Sequence, residues 1–144
     1  MSAPLRIANI SGFYGDKPEA AREMLEGGAV DYLTGDYLAE LTMLILHKAR
    51  ERKPGTGYAA TFLRQMEQVL GTALERGVRV VVNAGGLAPR ALAEALREQS
   101  AALGLAPRIA HIEGDDLLDR LPALQAAGHD LAHLDRGIAL AAPR

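Results

Sequence analysis

The chain contains no cysteine. Disulfide staples, thiolate nucleophiles and Cys-ligated zinc or iron–sulfur centres are thereby excluded. Tryptophan is also missing, and aromatic residues make up 4% of the sequence, too few for the stacking platforms that hold single-stranded nucleic acid. There is no excess of positive charge. The formal net charge is −2, with both signs mixed along the chain, which argues against a nucleic-acid or anionic-membrane partner. Long apolar runs are lacking too: the stretch around Leu41–Leu46 falls far short of the ~18 residues that span a bilayer. The opening Met1-Ser2-Ala3-Pro4-Leu5-Arg6 has no basic segment leading into an apolar run, so no signal peptide is read and a cytoplasmic location is expected.

What remains is apolar and glycine-rich. Hydrophobic residues make up 49% of the 144, enough to build the core of one domain. Four short apolar runs, Leu5–Ile10, Ala29–Leu33, Val78–Val82 and Arg108–Ile112, are nearly continuous rather than alternating, as in strands covered on both faces. Segments of helical period lie between them. Asp16-Lys17-Pro18-Glu19 reads as a helix start with an Asp cap, and Gly27-Gly28 as its stop. A second helix is expected from near Asp36 until Lys53-Pro54-Gly55 stops it and, apolar over more than half its circumference, should be buried. A third carries Tyr58, Phe62, Met66, Val69, Ala73 and Leu74 on one stripe. A fourth opens at Pro89 and presents Leu92, Leu96 and Leu103, and a fifth opens at Asp115 or Asp116.

Strands alternating with helices imply a parallel sheet with right-handed crossovers. The expected fold is α/β, a doubly wound, Rossmann-like sheet flanked by helices. A partial (β/α) barrel is the runner-up, since four βα units also make half a barrel. Residues 1–128 read as the α/β domain. Residues 129–144 read as a tail, or as the start of a segment completed elsewhere.

Ligands of parallel α/β folds bind at the carboxyl ends of the strands. The segments expected there are Ser11-Gly12-Phe13-Tyr14-Gly15-Asp16, Thr34-Gly35-Asp36-Tyr37, Asn83-Ala84-Gly85-Gly86-Leu87 and Glu113-Gly114-Asp115-Asp116. Each has glycine, through which a ligand approaches the backbone closely, and each has a carboxylate or amide. Each also leads towards a helix amino end, which attracts anions. The binding candidates are therefore Ser11, Gly12, Tyr14, Gly15, Thr34, Gly35, Asn83, Gly85, Gly86, Glu113, Gly114 and Asp116. Asp36, Asp16 and Asp115 are the candidates for proton transfer or for holding a divalent metal.

Structural readings compete at every one of these positions. Asp16 and Asp36 also suit helix caps, and Glu40, four residues after Asp36, suits the helix dipole. Gly85-Gly86 also suits a turn that lets the next helix pack on the sheet. His129-Asp130-Leu131-Ala132-His133 compares poorly with the H-E-x-x-H zinc helix, because Asp replaces Glu and no third ligand is placed. These histidines read as solvated surface. The G-x-x-G of the first loop is neither a dinucleotide fingerprint nor a P-loop, so NAD(P) is disfavoured, and no G-x-S-x-G elbow exists for a serine nucleophile.

Arg6–Asp16, Asp31–Met43, Phe62–Glu67, Val82–Leu87 and Glu113–Leu117 together resemble the acyclic terpene utilisation family of AtuA type. That family is named for bacterial operons that degrade citronellol and geraniol through CoA thioesters. Its members run to several hundred residues, and the resemblance falls on their N-terminal portion. It implies a catabolic enzyme acting on a small carboxylic acid or acyl-CoA in acyclic terpene or related catabolism. An anionic small-molecule substrate is expected, together with homo-oligomers or docking to a further C-terminal part. The alternative is a non-catalytic ligand-binding or assembly module completed by a partner chain.

Overall fold

A computed structural model describes residues 4–140. It divides into two units, Met1–Ile112 and Glu113–Arg144. The first unit is an α/β layer. Three parallel strands, β1 (Ile7–Asn9), β2 (Tyr32–Gly35) and β3 (Arg79–Val82), lie side by side in sequence order. Ala8 stands beside Leu33 and Leu33 beside Val80. A parallel sheet flanked by helices is the α/β class expected from the sequence.

One face of the sheet carries the core. Helices α1 (Ala20–Gly27), α3 (Ala60–Glu75) and α4 (Pro89–Ala102) supply Ala21 and Leu25, then Phe62, Met66, Val69 and Ala73, then Leu92 and Leu96, to one cluster with Ile10 and Leu33. The stripe expected on α3 is the one that is buried, and Gln65 joins it at 2% exposure. Leu74 is exposed, as is Leu103 beyond the end of α4.

The other face is open. Because side chains alternate along a strand, Ile7, Tyr32 and Arg79 share one rung of this face, and Asn9, Thr34 and Val81 share the next. Ile7 and Val81 are each 60% exposed. The arginine of the first rung donates to the Tyr32 hydroxyl at 2.6 Å and lies 5.5 Å from the centre of its ring.

Two sequence expectations are corrected. Arg108–Ile112 forms no strand: the Ile109 carbonyl accepts from the Arg97 guanidinium at 3.0 Å, and Ile112 is almost fully exposed. Apolar composition favours a strand only where a neighbouring ladder receives it. Helix α2 (Glu40–Arg52) starts four residues after Asp36, behind an extended Ala39. It buries only Thr42 and Leu46 and leaves Leu41, Leu44 and Ile45 in solvent.

The second unit holds a 3₁₀ turn, Leu118–Arg120, and α5 (Leu121–Ala126), whose first turn contains Pro122. None of residues 113–140 is buried. No helix among the described residues is long and apolar enough to cross a membrane.

Candidate functional site

Three of the four candidate loops meet at the carboxyl rim of the sheet. Loop 1 (residues 11–16) follows β1, loop 2 (residues 36–39) follows β2, and loop 3 (residues 83–88) follows β3. Their backbones are tied directly. The Asp36 N–H donates to the Ser11 carbonyl at 2.9 Å, and the Tyr37 N–H donates to Asn83 Oδ1 at 2.8 Å. Asn83 Nδ2 in turn donates to Asp36 Oδ1 at 2.6 Å. One asparagine thus reads both the backbone and the carboxylate of loop 2.

Asp36 is exposed and is not a helix cap. Its Oδ1 also accepts the Leu38 N–H at 3.2 Å, an Asx-type turn within loop 2. Hydrogen bonds from Asn83 first, and then from the Leu38 backbone, hold its carboxyl below the usual aspartate range. Asp16 is not a cap either, since α1 begins at Ala20 without a side-chain cap bond. Its Oδ2 accepts the Gly12 N–H at 2.8 Å and its Oδ1 the Lys17 N–H at 2.7 Å, so it folds back across its own turn. These two bonds lower its pKa, that from Gly12 first. Both carboxylates are ionised at neutral pH and face solvent.

Beneath them the loops rest on α3. The Tyr37 hydroxyl donates to Gln65 Oε1, and Gln65 Nε2 donates to the Lys17 carbonyl at 3.2 Å and to the Ile10 carbonyl at 3.4 Å. One turn earlier, the Thr61 hydroxyl donates to the Tyr14 carbonyl at 3.1 Å. Burial pushes the Tyr37 phenol far above the usual tyrosine range, which makes it a neutral prop rather than an acid or base. Ser11 is buried and donates to the Phe13 carbonyl at 2.9 Å, and Thr34 donates to the Ala8 carbonyl at 3.4 Å. Gln65 and Thr61 were missed as site residues in the sequence. The available signal was a glutamine falling three residues after Phe62 and four before Val69, on an otherwise apolar stripe.

The glycines of loops 2 and 3 answer to packing. A Cβ on Gly35 would stand 2.7 Å from the Tyr37 ring, and one on Gly85 would stand 2.8 Å from Pro89 Cα. Gly86 has φ +52° and lies against Leu46 and the Gly57 carbonyl. The Gly86, Leu87 and Ala88 N–H groups donate to the carbonyls of Asn83, Gly57 and Gly85, so loop 3 offers no open row of donors to an anion. Gly12 and Gly15 are exposed in loop 1, beside the exposed ring of Phe13.

The fourth loop belongs to the second unit. Gly114 has φ +133°, and Asp116 Oδ1 accepts the Leu118 N–H at 3.1 Å to open the 3₁₀ turn. Glu113 and Asp115 are exposed there. In the same unit His133 Nδ1 accepts the Asp135 N–H at 3.2 Å within a turn, and residues 129–133 are not helical. Among the described residues no three His, Cys, Asp or Glu side chains gather as a metal cluster. A cleft of about 430 Å³ opens at the opposite, amino end of the strands, between Arg6, Glu26, Asp31 and Arg76. Arg6 is paired there with Asp31 at 3.3 Å, and Arg76 donates to the Leu25 carbonyl, so these charges brace the base of the sheet.

Fold and rim together define a parallel α/β domain whose strand exits converge on exposed, ionised carboxylates. The pattern of the acyclic terpene utilisation family protein AtuA matches residues 5–143, and the chain belongs to that family. Neither a curated protein nor a solved structure is significantly similar to it.

Proposed function

We propose that the chain is the rim-bearing domain of a cytoplasmic catabolic enzyme acting on a small carboxylic acid or acyl-CoA in acyclic terpene or related breakdown. The observation that carries this reading is the Asp36 carboxylate, held by Asn83 where the exits of three strands meet. A carboxylate locked in its ionised form serves as a base or a cation ligand, not as an acid.

An anionic substrate does not approach Asp36 and Asp16 unaided, since like charges repel at the rim. A divalent cation resolves the conflict: one or two protein carboxylates and the substrate's own oxygens suffice for Mg²⁺. Asp36 is the first candidate ligand, because both oxygens of Asp16 already accept backbone N–H groups. The exposed Phe13 ring offers apolar surface to a hydrocarbon chain. The family match supports a substrate of that kind. Ser11, Thr34, Gly35, Gly85 and Gly86 act here as positioning residues.

Thermal-shift and calorimetric titration with short acyl-CoAs and hydroxy acids, with and without Mg²⁺ or Mn²⁺, tests the reading. The expected result is stabilisation by acid and metal together, lost in Asp36→Asn with the fold intact. No stabilisation by any pair overturns it. The second reading, a non-catalytic module, is favoured by the packing roles of Gly35 and Gly85 and by the closed turn around Asp16. It requires Asp36→Asn to leave every ligand affinity unchanged.

A further inference from the structure

Among the described residues, two surfaces of the first unit stand in solvent. The first is the open face of the sheet, where Leu5, Ile7 and Val81 stand in solvent beside Tyr32 and Arg79. Parallel sheets are ordinarily covered on both faces, the covering layer being helices. Here helices α1, α3 and α4 share a single core cluster, and that cluster lies on one face only. The second surface is the outer stripe of α2. Leu41, Leu44 and Ile45 are spaced i, i+3, i+4 and all exposed, with Leu41 at 68%, so they line one face of that helix.

We propose that the chain forms a two-fold dimer in which α2 of each copy covers the open sheet face of the other. A parallel sheet missing its second helical layer and a helix missing its sheet are complementary surfaces on the same molecule. The 13 residues of α2 rise about 20 Å along the helix axis, enough to cross the ~10–13 Å length of these short strands.

Area decides between this arrangement and simpler ones. The six exposed apolar side chains present on the order of 600 Å² per chain, most of the roughly 800 Å² each partner contributes to a standard interface. The polar neighbours Asn9 and Tyr32 lie on the same face and add to it. A sheet-on-sheet or a helix-on-helix dimer would use only one of the two surfaces, about half that area, and would leave the other in water.

The test is sedimentation equilibrium of the full chain across a micromolar concentration range, with two variants. Val81→Glu damages the sheet surface and Ile45→Glu the helix surface. Both side chains are exposed, so native circular dichroism and an unchanged melting profile in the dilute monomer are required of each. Dimeric wild type and monomeric single variants are expected. An equimolar mixture of the two variants is expected to recover association, because one pair of intact surfaces survives in the mixed dimer and none in either homodimer. Ile7→Glu replaces Val81→Glu should the latter lose its fold. A wild-type chain that stays monomeric, a variant that still dimerises, or a mixture that fails to associate overturns the proposal. A variant that still dimerises indicates a sheet-on-sheet or helix-on-helix contact instead.

Discussion

Asn83 holds Asp36 from two sides, donating to its carboxylate at 2.6 Å and accepting the N–H of the next residue, Tyr37, at 2.8 Å. The bond links the exits of β3 and β2, so the orientation of the carboxylate is fixed by a residue 47 positions away in sequence.

Replacing Asn83 by Ala removes both bonds. The expected cost is about 1–2 kcal/mol, the scale of two partly exposed hydrogen bonds, measured by urea denaturation. Ligand affinity should fall further than stability does, because Asp36 loses its orientation and moves towards the ordinary aspartate pKa. Asn83→Asp is expected to be worse than Ala for a cation-free anion, since it sets a second carboxylate against Asp36.

Gly35→Ala drives a methyl group to 2.7 Å from the ring of a tyrosine that is 1% exposed. The ring is also locked edge-on against Phe62, their centroids 5.8 Å apart, so it has no room to yield. Overpacking of this kind costs about 1–3 kcal/mol. Thermal unfolding checks it, and a Gly35→Ala variant as stable as wild type would contradict the packing role.

Gln65→Leu roughly keeps volume but leaves the Tyr37 hydroxyl and the Ile10 and Lys17 carbonyls without their partner. Stranded buried polar groups cost roughly 1–3 kcal/mol each, and a net loss of about 3 kcal/mol is expected. Tyr37→Phe should be milder, and the double variant Tyr37→Phe with Gln65→Leu less than additive, because the two residues share one bond.

Acid sensitivity follows from the lowered aspartates. Asp16, Asp31 and Asp36 have folded pKa values depressed by Gly12, Arg6 and Asn83 respectively. Their contribution is complete above the unfolded value, about 3.9, and is lost as pH falls through the folded values. The melting temperature is therefore expected to drop below about pH 4. Asp31→Asn, which removes the Arg6 pair, should flatten that drop. Lys17, raised by Glu23, contributes below its unfolded value, about 10.4, and loses its share only as pH rises beyond that.

The parts of this fold legible in sequence were those with a local cause. Val78–Val82 is β-branched and ends at an amide-glycine turn, and β3 occupies nearly all of it. Pro89 and Gly104 bracket α4 as helix punctuation should. Asp36 was misplaced because its neighbours Leu38 and Leu41 continue a helical period, whereas the helix starts behind an extended Ala39 and Asp36 bonds to Asn83. Arg108–Ile112 was misread because strand character depends on a partner that local sequence does not contain. Helix α2 looked buried because apolar composition reports a preference for contact, not the contact made. The Gln65 network was hidden for a related reason: its acceptors and donor come from Ile10, Lys17 and Tyr37, none near it in the chain.

Gln65 has a consequence for how such a protein can change over time. A single amide on α3 is the common anchor for the start of loop 1, the start of the segment leading to α1, and the ring under loop 2. Under the proposed function, tips such as Phe13 are free to vary with the molecule being bound, while drift at position 65 would unseat the exits of β1 and β2 together. Diversity of substrate is therefore expected to be written in the tips, and the helix below them to stay fixed.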